Sequence, residues 1–538
     1  MLKRDISRMN VLIAAAGGMV GSGWLFSPFI SAQIAGSNAL VSWVIAAIFM
    51  LFVALPLCEL GAMLPISGGM TNYPSFTHGT EVGFMFAWAS WLSYVVMTPI
   101  EIQAILQYSS HFFPALVVKE SAVFTLSGPG YIMAFFIMIF VVFLNSYGIK
   151  FLAECNKFAS IIKFILPGIA IVALLQTAAP MANIDIHLSD KQAWVDIFSA
   201  LSTGGVIFAF TGFQNGLMLA GEVDNPQKNI PIAILGAVLI GFILYFMLQL
   251  SFISAVPKAY LSQGWSNLSF PGDSGPLVGL TLLLGLSGVA MLLLFDAAFS
   301  PFGTTLVFTA ATSRILYGMA INNHLPKIFT KENKYGIPYV TLYANLLVGM
   351  CSFLPFPGWQ KMVAFLSSCS ILSYGIGPIC LLAMRKLQPL RHRPFRLSGS
   401  LFICHLSFYI CNLMLYWCGF DILWKMDLAL LVGFAIHKLY KKSTKGTGYI
   451  SLCWFVGYMG GMLLVSCLGS FGGWGYLHFP LDALVILPLS ISVLQGSQSV
   501  LLDKCSEEDL EAQLGAMKSK IEPEASTLSV QPIPSTGF

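Results

Sequence analysis

Charge is what this sequence has least of. Asp, Glu, Lys and Arg make up 10% of its 538 residues, where an ordinary soluble domain carries about 25%. That shortage excludes a large water-facing surface, and with 57% hydrophobic residues it points to a chain whose solvent is lipid. Catalytic signatures are also missing. None of the eleven cysteines forms a CxxC pair, the eight histidines are scattered, and no HExxH or GxSxG lies in a plausible context. An enzyme is therefore not expected, nor a cofactor or a metal. Cys404, Cys411 and Cys418 share one helical face at heptad spacing, which close packing explains better than metal binding, because no His or carboxylate completes a ligand set. A channel is disfavoured as well, since neither a re-entrant filter motif nor a ring-forming repeat is present.

Long apolar runs are what the chain does have. A hydrocarbon core of roughly 30 Å takes about 20 helical residues, and fourteen candidate spans follow one another: 11–34, 38–63, 83–108, 131–148, 158–178, 196–220, 231–255, 278–312, 338–356, 360–384, 401–419, 422–440, 449–470 and 476–496. They are called spans one to fourteen below. Residues 1–10 form a short polar start, and 503–538 a polar, Pro/Ser-rich tail expected to be largely disordered.

The basic residues test this count. With the amino terminus in the cytoplasm, twenty-two of the 28 Lys and Arg residues fall inside and five (Lys119, Lys191, Lys258, Lys361 and Lys425) outside. That is the asymmetry of a multi-pass protein of the cell membrane with both termini cytoplasmic. The remaining one is Lys163, inside span five. A net charge of +4 spread over helix ends implies the lipid bilayer as partner and no nucleic acid.

Within span one, GGMVGSGWLFSP (Gly17 to Pro28) carries four glycines, two serines and a proline. Glycine there either lets helices pack closely or marks an unwound segment whose freed amides and carbonyls hold a ligand. Span six repeats the pattern in STGGVIFAFTGFQNG (Ser202 to Gly216). Two interrupted helices at corresponding positions are the sequence pointer to an inverted-repeat transporter, and an offset of five spans gives them opposite orientation.

Four stretches then carry a family resemblance: GSGWLF in span one, CELGAMLPISGG (Cys58 to Gly69), FAFTGFQ with GEVDNPQKNIPIAI (Phe208 to Ile234), and TSRILYGMAINNHLP (Thr312 to Pro326). Over about Met9 to Pro394 the chain resembles the amino acid-polyamine-organocation superfamily, and within it bacterial proton-coupled amino acid permeases. The resemblance implies an all-α polytopic protein of the LeuT type. Spans one to five (11–178) and six to ten (196–384) would be inverted repeats, and spans eleven to fourteen (401–496) peripheral. The family more often has twelve helices, so the extra pair is a departure. RPFRL (Arg393 to Leu397) is similar to a branch related to aspartate–proton symporters, yet no unpaired basic residue near Ser22 supports an acidic side chain.

An amino acid presents a carboxylate and an ammonium. The expected substrate site is Gly21, Ser22, Gly23 and Trp24 with Phe208, Ala209, Phe210 and Thr211. Amides near Ser22 and Gly23, at the positive end of the second half of span one, suit the carboxylate. The carbonyls of Phe208, Ala209 and Thr211 suit the ammonium, and the resemblance implies the same backbone assignment. Trp24, Phe208, Phe210 and Phe213 are either gates or core.

Lys163 lies inside span five, where it either snorkels to the interface or works with a partner. The resemblance implies the second, because some proton-coupled members carry a lysine here in place of a sodium ion. Which of Thr304 and Thr305 faces it depends on a helical phase that the sequence leaves open. Glu59, Glu101 and Asp296 are carboxylates within spans. Glu59 matches a glutamate the family uses in structure or gating. Asp296 has three candidate roles: proton acceptor, counter-charge to Lys163, or anchor bonded to a hydroxyl, with Pro301 and Gly303 expected to loosen the helix below it. Glu222 and Arg314 are an expected inner gate, although turn chemistry alone explains Asn225-Pro226. The expected function is amino acid transport coupled to protons by alternating access, with exchange of amino acids or amines as the alternative.

Overall fold

The computed structural model describes residues 6–501, apart from 67, 121–122, 148, 178–182, 271–274 and 441–447. Residues 1–5 and the tail 503–538 therefore lie outside the described residues. The protein is all-α. A helix or a broken helix stands on every one of the fourteen apolar runs, and among the described residues the one sheet is a hairpin of Val117–Glu120 and Val123–Leu126, with Val117 opposite Leu126.

Length explains where the chain turns. Gly23–Met63 is a 41-residue apolar stretch, about 60 Å as helix and twice the hydrocarbon core. It folds back at Gly36, whose φ of +59 suits glycine, so that Gly23–Ala35 completes span one and Ala39–Met63 forms span two. The run 401–440 divides in the same way at Gly419 (φ +87), giving Ser400–Trp417 and Phe420–Tyr440. Span eight behaves differently from its expectation. The helix Ser287–Ile321 is continuous through Pro301. The interruption falls earlier, where Gly285 (φ +74) ends Pro276–Leu283 and the Leu286 N–H returns 2.8 Å to the Thr281 carbonyl.

Span three (Thr80–Ser109) is the central pillar. It packs against spans eight and ten, and its apolar window is wholly buried inside the protein. A helix that never meets lipid can carry polar residues, and Glu101, Gln103 and Gln107 are accordingly buried on it. Span four (Gly128–Asn145) has the opposite character, with Ile132, Phe136 and Phe143 more than half exposed on its outer side. Span seven (Pro226–Ala255) runs along spans one and two, and spans eleven and twelve cover spans two, three and ten.

A candidate substrate site between two broken helices

Span one stops helping itself at mid-length. Arg8–Met19 ends, Val20 is extended (φ −93, ψ 91), and Ser22 caps the second helix Gly23–Ala35. Span six breaks twice: after Lys191–Ser202 at Gly205 (φ +80), and after the single turn Val206–Phe210 at extended Thr211 and Gly212 (φ +128), before Asn215–Met218. The first half of span one packs on Asn215–Met218, and its second half on Lys191–Ser202 and Val206–Phe210. The two interrupted segments therefore run antiparallel. They touch where side chains would not fit: a Cβ on Gly212 would lie 2.4 Å from the Gly18 carbonyl carbon, and one on Gly23 3.1 Å from Phe208 Cδ1.

Backbone freed from a helix inside a membrane must find partners, and here polar side chains supply them. The Met19 carbonyl accepts from Tyr245 OH at 2.7 Å. The Gly212 N–H donates to Gln214 Oε1 at 2.8 Å, and Tyr374 OH donates to the same oxygen at 3.0 Å. The Phe208 carbonyl accepts from the Thr211 N–H at 2.9 Å and from Thr211 Oγ1 at 2.6 Å. The Ser22 N–H donates to both oxygens of Glu101, at 3.1 and 2.9 Å. Pro28 in the second half of span one gives its carbonyl to Gln249 Nε2 at 3.0 Å, while Gln249 Oε1 accepts from Ser31 and Trp43.

Two of these bonds fall on atoms to which the sequence reading assigns the cargo. The Ser22 amide and the Phe208 carbonyl, both reserved there for cargo, are occupied by the protein itself. Glu101 and its partner are 79 residues apart, a pairing that no local pattern announces.

Lys163 is 3% exposed and donates to Thr304 Oγ1 at 2.8 Å, bridging spans five and eight. Thr305 instead bonds the Phe302 carbonyl at 2.7 Å. The ammonium also interacts electrostatically with Glu101 and Asp296. Asp296 is fully buried, and neither of its oxygens nor the indole N–H of Trp24 beside it completes a hydrogen bond. Among the described residues no hydroxyl anchors it.

Aromatic rings close the site on the side away from the basic loops. Trp359 Nε1 donates to Ser22 Oγ at 3.0 Å, and its ring lies 4.9 Å from Phe26 and 5.6 Å from Phe208. Tyr108 packs 5.2 Å from Phe26 and donates to the Leu25 carbonyl at 2.9 Å. Beyond Phe26 and Trp359 lies a cavity of about 190 Å³ edged by Gln33, Gln107, Lys119 and Gln360. Phe210 packs against Trp43 and Tyr245, and Phe213 against Tyr374. Trp359 carried no sequence signal, being 337 residues from Ser22.

At the basic end, Glu59 is buried and bound in fork geometry by Arg385, with Nε to Oε1 at 3.0 Å and Nη2 to Oε2 at 2.7 Å. The Leu397 N–H adds a bond of 2.8 Å, so RPFRL is tied down through Glu59. Glu222 and Arg314 are not brought together: among the described residues no ion pair joins them. The Glu222 carbonyl accepts from the Ile6 N–H at 3.1 Å, and the Asp224 N–H donates to the Ile6 carbonyl at 3.0 Å. The connection after span six is thus strapped to the segment before span one. Asn225 takes the left-handed conformation (φ 37) just before Pro226 opens span seven.

Two antiparallel interrupted helices, with buried ionisable groups on the spans packed beside them, define a multi-pass secondary transporter. The chain belongs to the amino acid permease family, whose sequence profile matches residues 6–436. It is 34% identical to the glutamate/serine transporter AimA of Bacillus subtilis (strain 168), covering 91% of this chain and 92% of that one. To the aspartate-proton symporter of the same organism it is 33% identical, covering 94% and 98%. The lysine-specific permease LysP of Lactococcus lactis subsp. cremoris (strain MG1363) is 25% identical over 66% of this chain and 69% of its own length.

Proposed function

We propose that this amino acid permease is a proton symporter of a bacterial cytoplasmic membrane, that glutamate, aspartate and serine are its candidate cargo, and that it moves them without converting them. Both termini and the basic loops lie in the cytoplasm, as the charge asymmetry supports. The cargo's ammonium and side chain meet span six around Phe208 to Thr211, and its carboxylate meets the amides at Gly21 to Trp24. Glu59 belongs to the cytoplasmic gate, which its clamp with Arg385 holds shut.

The observation that carries this reading is the buried Lys163–Thr304 bond. It joins spans five and eight through a proton-bearing group. With its proton, the ammonium holds Thr304 and balances Glu101 and Asp296. Without it, that charge is gone and the two spans separate at lower cost, so gate movement and proton occupancy are linked. The names of the two relatives sharing a third of their residues with this chain support acidic cargo and symport over exchange.

The test is uptake by proteoliposomes. With the exterior acidic, the protein accumulates labelled glutamate, aspartate or serine. Lys163→Ala lowers gradient-driven uptake at least tenfold, about 1.4 kcal/mol, and makes the residue indifferent to the gradient. Uptake by the unsubstituted protein that ignores the pH gradient and requires amino acid inside overturns symport in favour of exchange.

A further inference from the structure

The transport reading uses Glu101 only as a counter-charge to Lys163, yet the residue holds the position that reading gives to cargo. We propose that Glu101 is a resident occupant of the seat for the substrate's α-carboxylate, and that a proton on Glu101 vacates the seat. The inference rests on the proposed function and assigns to that site its gatekeeping residue.

The seat is built for this carboxylate. Both Glu101 oxygens converge on the Ser22 N–H, at 3.1 and 2.9 Å, at the start of the 13-residue helix Gly23–Ala35. The dipole of that helix favours an anion there. A Cβ on Gly21 would lie 2.4 Å from Glu101 Oε1, so residue 21 must lack a side chain for the carboxylate to fit. The Ser22 hydroxyl accepts from Trp359 Nε1 at 3.0 Å, and its own O–H is free to join the amide at Glu101. Glu101 itself is fully buried on a helix that never reaches lipid.

An arriving amino acid brings a second carboxylate to the same donors. Two anions cannot share one amide in a buried site, and a tethered carboxylate competes at a high effective concentration. Protonation resolves the contest. A proton from the external aqueous side forms an O–H bond on one Glu101 oxygen, the negative charge is lost, and the hold on the Ser22 amide weakens. The cargo carboxylate takes the amide, and the new O–H donates to it. On the cytoplasmic side cargo leaves, the O–H bond breaks, its proton passes to water, and the carboxylate returns to Ser22. Glu101 thereby carries one proton inward with each amino acid. The titratable groups that interact with Glu101 are Lys163 on span five and Tyr245 on span seven; Asp296 on span eight interacts with Lys163, and Tyr108 on span three with Asp296.

The test separates this seat from transport as such. In detergent, binding of glutamate, aspartate and serine to the full chain is read by ligand-induced thermal shift between pH 5 and 9. In liposomes, uptake is followed with and without a pH gradient. The unsubstituted protein loses apparent affinity as pH rises, approaching tenfold per unit for one linked proton. Glu101→Gln keeps a hydrogen-bond acceptor for Ser22 but no exchangeable charge; it binds with a flat pH profile and fails to accumulate cargo on a gradient. The methyl ester of the same amino acid, which lacks the carboxylate, shows no such pH dependence with the unsubstituted protein. Glu101→Asp, one methylene short of the amide, gives a shallower profile and reports that the folded site survives substitution. A Glu101→Gln protein with the same pH-dependent affinity as the unsubstituted one overturns the proposal while leaving symport intact. Absence of binding and uptake by the unsubstituted protein overturns the transport reading, and the seat with it.

Discussion

Gly212 shows how much a single missing side chain decides. Its φ of +128 is open to few residues other than glycine, and an added Cβ would strike the Gly18 backbone at 2.4 Å. Backbone cannot step aside as the end of a long side chain can. Gly212→Ala is expected to cost about 1–3 kcal/mol from conformation alone, with the collision in addition. It should appear as a lower unfolding midpoint in detergent and a poor yield. Gly457→Ala, in a helix with open space around that position, should match or exceed the parent midpoint. At this scale the sequence announces glycine but not the reason for it. Lys163 was legible as a buried cation, and Thr304 as one of two candidate partners. Glu101 was visible as a carboxylate in a span, but its destination depends on the rotation of span three, which no periodicity reveals in a helix buried on every side.

Among elements, the bond between Glu59 and Arg385 joins the end of span two to the end of span ten and, through the Leu397 N–H, to the loop between spans ten and eleven. A buried pair carries a large desolvation penalty, and it holds here because the Leu397 N–H and the Arg393 guanidinium, 3.6 Å away, add to the fork. Glu59→Gln leaves Arg385 without its counter-charge and is expected to destabilise the protein by about 3–5 kcal/mol. The same change should make residues 388–399 cleavable by a protease that leaves the parent intact. An unaltered cleavage pattern would remove the clamp from the argument. The breaks in spans one and six were readable because glycine, serine and aromatic residues cluster where a lipid-facing helix would carry leucine. The continuity of span eight through Pro301 was not. Proline removes one bond from the helical ladder, and whether the helix kinks or runs on depends on neighbouring helices that the sequence does not place.

Across the whole molecule, burial and composition sort the spans. Spans three and ten are wholly enclosed, whereas a third of span four and of span fourteen is buried. Span three is the least apolar of the long helices, so the measure that finds membrane spans ranks its central pillar last. A helix enclosed by protein needs no apolar surface for lipid, and this one buries Glu101, Gln103 and Gln107 instead. Orientation is the property on which the transport direction depends, and it can be checked by labelling. A cysteine at Lys119, on the hairpin beside the cavity, should react with a membrane-impermeant thiol reagent added to intact cells. A cysteine at Arg391, in the basic loop, should react only after the membrane is opened. The reverse pattern would invert the assigned topology and the sense of proton movement with it.

Tyr245 and Gln249 stand one turn apart on span seven; the first grips the end of the lower half of span one, and the second grips the upper half at Pro28. A joint splinted on both sides to the same rod does not flex. Moving either half of span one against span seven means giving up one of these bonds, so in the proposed transport cycle the two spans move together, with the swing taken up elsewhere.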